Sequence, residues 1–275
     1  MSTTNGDRGA RLAALQAALA ERILVLDGAT VTALQTENLT AADFGGPELE
    51  GCNEALVLER PDVVRRLHET YLGAGCDVVE TNTFGATALV LAEYGLEARA
   101  REINREAARL AREACAAFET PERMRWVAGS MGPTTKALSV TGGITFDALR
   151  DHYHEQAAGL VEGGVDYLLL ETCQDTLGVK AGLLGIAGAC AELGVEVPVA
   201  VSGTIEPTGT MLAGQDVDAL GVSLEHADLL YLGLNCATGP EFMTDHLRSL
   251  SAEVRTRTAC VPNAGLPDED GRYPE

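Results

Sequence analysis

Chemistry is first suspected where an apolar run ends in a cysteine. Residues 229–234 are continuously apolar, lie between Asp228 and Gly239-Pro240, and lead into Asn235-Cys236. A run of this length and setting reads as a parallel strand buried on both faces. In parallel α/β folds the reacting groups sit at the C-terminal ends of such strands. A lone cysteine there is ordinarily a small buried hydrophobe, so its company decides the matter. Two other apolar runs end in acids, 23–26 in Asp27 and 167–170 in Glu171. In a barrel the three tips converge on one mouth. Two carboxylates there could take a substrate ammonium, and a thiolate could take a soft metal.

Other chemistries find little support. The stretch from Gly129 to Lys136 lacks the spacing of a phosphate-binding loop, and no H-E-x-x-H occurs. His152 and His154 lie two apart on a helical stretch and so face different ways, as surface residues do. The net charge is -21, from 41 acids against 20 bases, and Lys136 and Lys180 are the only lysines. Such a surface argues against nucleic acid or an anionic membrane as partner. The seven cysteines, at 52, 76, 115, 173, 190, 236 and 260, are widely spaced, with no C-x-x-C. That is no disulfide framework and favours a reducing compartment. The longest apolar run, 181–191, falls short of a bilayer span. The first residues read as an amphipathic helix rather than a signal peptide, so the expected location is cytoplasmic.

The elements that would position these residues follow from periodicity. Residues 1–9 are polar and read as a frayed end; 10–21 form a helix, so that 1–22 make an N-terminal extension ahead of one domain over 23–275. Strands are expected at 23–26, 77–80, 126–128, 167–170, 199–201, 229–234 and 258–261. Helices are expected at 61–75, 96–118, 146–162, 176–193, 217–225 and 242–253, and a long polar loop at 37–52. Gly178, Gly182 and Gly185 suggest that 176–193 packs closely on the sheet. Strands alternating with helices, and no dinucleotide fingerprint after the first strand, favour a (β/α)8 TIM barrel over a doubly wound sheet. Seven strands are one fewer than a barrel needs. The chain is therefore expected to be C-terminally truncated, or one part of a split barrel.

The strand tips resemble a known family. Asp27-Gly28-Ala29, Glu80-Thr81-Asn82-Thr83-Phe84, Ala128-Gly129 through Gly132-Pro133-Thr134, Glu171-Thr172, Ser202-Gly203-Thr204, Gly233-Leu234-Asn235-Cys236 and Pro262-Asn263-Ala264-Gly265-Leu266-Pro267 occur in the order found in homocysteine S-methyltransferases. The likeness covers about 23–273. It is nearest to the homocysteine-binding module of cobalamin-dependent methionine synthases, the Asn-Ala-Gly-Leu-Pro segment tilting it from the betaine-dependent branch. The resemblance implies a (β/α)8 barrel and zinc held by three cysteines. One of them matches Cys236; the other two form an adjacent pair expected beyond Glu275. Three thiolates leave the fourth tetrahedral position to the homocysteine sulfur, which zinc keeps deprotonated. That sulfur would attack a methyl group carried by methylcobalamin on a separate module, with 5-methyltetrahydrofolate on another. The resemblance also places Asp27 and Glu171 near the substrate amino group. It gives the loop after Asp27, including Gly28 and Ala29, to the substrate carboxylate, and makes Asn235 a shaper of the site.

Where the family usually reads Asp-Gly-Ala-Met-Gly-Thr, this chain has Asp27-Gly28-Ala29-Thr30-Val31-Thr32. Glycine tolerates positive φ and valine does not, so a changed carboxylate cradle is expected at Val31. Two alternatives stand beside the main reading. One is a non-catalytic barrel lacking two zinc ligands. The other is a betaine- or S-methylmethionine-type methyltransferase acting on another thiol or selenol. Cys173 and Cys260 also lie near strand tips, but nothing in the family makes them ligands.

Overall fold

The structure, a computed structural model, describes residues 5–264. The first helix, α1, runs over Asn5–Glu21, five residues earlier than its leucine spacing predicts. Arg8 explains the added turn. Its guanidinium donates to the carbonyls of Val165 and Val161, both at 3.0 Å. One turn on, Arg11 donates to Asp166 at 2.7 Å. Residues 5–9 are therefore helical rather than frayed, and residues 1–4 lie outside the described part.

The expected first strand does not form. Of residues 23–26 only Leu26 makes a bridge, to Val78. The Val25 carbonyl accepts from the N–H groups of Asp77 and Val78, at 2.7 and 3.2 Å. The Val25 N–H is taken instead by the Asp77 carboxylate at 3.0 Å. Ile23 and Val25 are 88% and 57% exposed. A side chain from the neighbouring segment thus replaces a ladder bond, and the run never becomes a buried strand.

The helix α2 (Thr30–Gln35) follows. The loop at 37–52 is indeed irregular, with 3-10 turns at Ala41–Phe44 and Pro47–Leu49. Next come α3 (Leu56–Glu59) and α4 (Pro61–Ala74), which starts at its proline and ends at Gly75 with φ 109°. The remaining elements alternate: β1 (Val78–Glu80), α5 (Ala88–Leu91), α6 (Ala100–Phe118), β2 (Trp126–Met131), α7 (Phe146–Gly163), β3 (Tyr167–Cys173), α8 (Thr176–Leu193), β4 (Val199–Gly203), α9 (Val217–Leu224), β5 (Tyr231–Asn235), α10 (Pro240–Glu253) and β6 (Arg257–Val261). Among the described residues the sheet therefore has six strands, ordered β1-β2-β3-β4-β5-β6, not seven. β1 pairs with β2, β4 with β5 and β5 with β6 in parallel, with Val78 opposite Trp126 and Asn235 opposite Val261. Every residue of β2 and β5 is buried, as a parallel strand covered on both faces requires.

The chain divides into two compact units. The first holds residues up to Met131, with His154–Leu168 and Ile186–Val197; the second holds Gly132–Tyr153, Leu169–Gly185 and residues from Pro198 onward. In the first unit α7 meets α6 through Gly159 and Gly163, four apart and hence on one face. A Cβ on Gly163 would lie 2.3 Å from the Arg105 carbonyl oxygen, and one on Gly159 would lie 2.6 Å from that of Arg101. In the second unit Gly182 touches the sheet, its added Cβ falling 2.8 Å from Leu170 Cδ1. Gly178 does not, its nearest neighbour being Asp175 Cγ at 4.0 Å.

By length and composition α8 could cross a membrane, with 18 residues and a mean hydropathy of 1.3. This corrects the expectation that no segment is long and apolar enough. Val179, Gly182, Ile186 and Ala189 form a buried stripe along it, the spacing of a helix with one face on a core.

His68 on α4 is 1% exposed, and neither ring nitrogen has a hydrogen-bond partner. Burial alone pushes its pKa down from 6.5 to about 4. Below the ordinary value the unfolded chain binds a proton that the folded chain refuses. Stability is therefore full above about pH 6.5 and falls as the pH drops toward 4, by on the order of 3 kcal/mol. Urea unfolding of the parent and of His68→Leu across this range checks it: the variant is expected to lose that part of the pH slope.

Candidate functional site

In the second unit the tips of β3, β4 and β5 share a polar network centred on Asn235. Its side-chain oxygen accepts from the Ser202 hydroxyl at 2.7 Å and from the Thr172 N–H at 3.0 Å. Its amide nitrogen donates to Thr172 Oγ1 at 2.8 Å and to Cys236 Sγ at 3.1 Å. Thr204 Oγ1 donates to the Asn235 backbone carbonyl at 3.0 Å. The amide of Asn235 thus has each of its four hydrogen-bonding valences engaged, which suits a residue that shapes a site.

Cys236 lies just past β5. Its N–H donates to the Val261 carbonyl at 3.1 Å, and its carbonyl accepts from the Thr238 N–H at 2.7 Å. Cys236 and Ala237 have φ of 59° and 58°, and Thr172 has φ of 53°. Successive left-handed residues turn the chain sharply away from the strand end, and a β-branched residue in that region is an outlier. Cys236 is half-buried. Burial pushes its thiol pKa up, the Thr172 hydrogen bond opposes this, the Glu171 charge adds to the rise, and the Asn235 hydrogen bond opposes it again. The groups hydrogen-bonded to its sulfur, Thr172 and Asn235, are polar.

Glu171 is 8% exposed. Cys173, the last residue of β3, is half-buried; burial pushes its thiol pKa up, with Glu171 and Asp175 adding to the rise. Cys260 is exposed on β6, its Sγ 3.5 Å from the Met243 sulfur.

Asp27, Gly28 and Ala29 belong to the first unit. Asp27 Oδ2 accepts from the Glu80 N–H at 3.0 Å. Gly28 leaves room for Tyr71, whose ring and hydroxyl lie 3.0 Å from where a Cβ would stand. The Tyr71 hydroxyl donates to the Ala29 carbonyl at 3.3 Å. Ala29 caps α2 without a side-chain hydrogen bond. Val31 sits in the first turn of α2, 52% exposed and outside the residues of positive φ. The backbone that was expected to need a glycine is helical here, and valine fits it.

Thr172, Ser202 and Thr204 were visible in the sequence only as motif letters. Nothing local marks their shared partner, because Asn235 lies 63 residues beyond Thr172. Among the described residues no group of three or more His, Cys, Asp or Glu is gathered to hold a metal. These residues offer a thiophilic metal one sulfur, and tetrahedral zinc takes four donors, so alone they do not make a zinc site. The Cys-Cys pair and the segment 265–267 implied by the family resemblance lie outside the described residues.

Parallel strands joined by helices, with a carboxylate near the end of β3 and a thiol just past β5, two strands along the sheet, define an α/β enzyme of the strand-tip type. The chain belongs to the homocysteine S-methyltransferase family, a family of methyltransferases, which it matches over residues 24–275. It is 45% identical over 249 residues to a methionine synthase of Mycobacterium tuberculosis (strain ATCC 25618 / H37Rv), a match covering 90% of this chain and 21% of that one. The methionine synthase of Mycobacterium leprae (strain TN) is likewise 45% identical over 249 residues, covering 90% and 20%. The chain thus spans about a fifth of the length of these relatives. Its fold is that of the homocysteine methyltransferase MmuM from Escherichia coli. The metallated form matches with a TM-score of 0.77 at 23% identity, covering 93% of this chain and 88% of that one. The oxidized form matches with a TM-score of 0.76 at 24% identity, covering 90% and 85%.

Proposed function

We propose that this chain is the homocysteine-binding module of a methionine synthase and transfers a methyl group to the homocysteine thiol, giving methionine. The observation that carries it is Cys236, held at the end of β5 by Asn235 and Thr172, in a chain of this family. In the reaction the homocysteine sulfur, having lost its proton, attacks the methyl carbon; a new S–C bond forms as the bond from carbon to the donor breaks. Methylcobalamin on another module is the proposed donor, and the cobalamin that leaves is remethylated from 5-methyltetrahydrofolate. Asp27 and Glu171 are assigned to the substrate ammonium. The N–H groups of the loop from Gly28 and Ala29 into α2 are assigned to its carboxylate, and Asn235 to the shape of the site.

Cys236 is assigned as one ligand of a zinc ion whose other thiolates come from outside the described residues. When bound, zinc would keep the substrate thiol deprotonated at neutral pH. The seven free thiols suit a reducing compartment, and we place the chain in the cytoplasm. The architecture assigned to it is a (β/α)8 barrel.

The test is methionine formation from homocysteine by the complete reading frame, with methylcobalamin, S-methylmethionine or betaine supplied separately. Turnover with methylcobalamin supports the reading, and turnover only with another donor moves the chain to that branch. No turnover with any of the three rejects it.

A further inference from the structure

We propose that Thr172 is a positioning residue for the Cys236 sulfur, its hydroxyl and its left-handed backbone acting together as one jaw of a clamp whose other jaw is Asn235. This rests on the reading of Cys236 as the functional thiol.

The geometry assigns the protons. Thr172 Oγ1 lies 3.7 Å from Cys236 Sγ, and either atom could donate. Oγ1 already accepts from the Asn235 amide at 2.8 Å, and once Cys236 is a thiolate the hydroxyl is the only one of the pair with a hydrogen to give. The same amide sends its second N–H to Sγ at 3.1 Å. The sulfur therefore meets two donors that are themselves hydrogen-bonded to each other. The amide cannot flip to undo this, because its oxygen is engaged by the Thr172 N–H and the Ser202 hydroxyl at 3.0 and 2.7 Å.

The backbone supplies the second, independent observation. Thr172 stands at φ 53°, next to the last residue of β3, and Cys236 stands at φ 59° just past β5. A β-branched residue is strained there, and such strain persists only where the surroundings impose it. The left-handed turn presents the Thr172 N–H and hydroxyl together to one amide. An extended strand would send successive groups to opposite sides.

Two substitutions isolate the hydroxyl. Thr172→Ala and Thr172→Ser both remove the β-branch, and only the second keeps the donor. The readout is the alkylation rate of Cys236 by iodoacetamide in the complete chain, stripped of metal with a chelator, at one mildly alkaline pH. It is followed through the mass of the Cys236 peptide, with the buried Cys52 and Cys115 as internal checks on folding. Thr172→Ala is expected to slow alkylation of Cys236 roughly fivefold, the effect of one hydrogen bond to the thiolate; Thr172→Ser should stay within about twofold of the parent. Equal rates in the two variants, fast or slow, overturn the proposal. So does faster labelling of the buried thiols in Thr172→Ala alone, since the hydroxyl would then hold the fold and not the sulfur. Failure of the reading of Cys236 as the functional thiol would show separately, as a Cys236→Ser chain that still forms methionine, and would leave the alkylation comparison standing.

Discussion

Serine at position 236 is expected to lower the proposed methionine formation by roughly a thousandfold, about 4 kcal/mol of lost transition-state stabilisation, while urea unfolding is expected to shift by less than about 1 kcal/mol. The two readouts separate because of where the sulfur sits. Cys236 is half-buried and leans on polar groups, so a hydroxyl can take over its hydrogen bonds with little loss of packing. A hydroxyl cannot take over a thiolate's affinity for a soft metal. Activity of the complete reading frame is the measurement. A Cys236→Ser chain turning over at more than a tenth of the parent rate would remove Cys236 from the reaction.

Alanine at position 163 has the opposite signature, a loss of stability without any group near the proposed chemistry being touched. The added Cβ would stand 2.3 Å from the Arg105 carbonyl and 2.5 Å from Ala108 Cβ. Both belong to the packed face of α6, whose Ala107, Ala108 and Ala111 are fully buried. A backbone carbonyl within a helix cannot step aside as a long side chain can, so the two helices must move apart. Overpacking of this kind costs about 3 kcal/mol, and Gly159→Ala should cost nearly as much. Thermal unfolding of the two variants beside Gly178→Ala tests this, because a Cβ at Gly178 has no neighbour nearer than 4.0 Å. Equal melting temperatures for Gly163→Ala and Gly178→Ala would sink the account.

Much of this architecture can be read from local sequence, and what cannot shares a cause. The residues 176–193 match α8 at both ends, and α4 begins at Pro61 and stops before Gly75 as capping rules demand. The apolar run ahead of Asn235-Cys236 is β5 and is buried throughout. Residues 23–26 misled because the Asp77 carboxylate takes a ladder hydrogen bond from 52 residues away. The first turn of α1 is held by carbonyls more than 150 residues distant. Glycines crowd α8 in the sequence, yet the tighter contact is the sparser pair on α7. The site divides in the same way. Asp27, Glu171 and Cys236 were conspicuous as strand tips. The positive φ of Thr172 and the saturation of the Asn235 amide depend on partners that only folding assembles.

The likeness to the family starts at residue 24, but the folding unit does not respect that border. Asp166, whose side chain is 3% exposed, is neutralised from upstream by Arg11 and from α6 by Arg112. Asp77, at 1%, draws on Arg22 as well as Arg123. A polypeptide begun where homology begins would keep every strand and every tip residue. It would also take from each of two interior carboxylates one of its arginine partners, leaving Asp166 to Arg112 and Asp77 to Arg123. The upstream helix is in that sense an internal counterion, and evolutionary kinship understates how much chain this domain needs to stand.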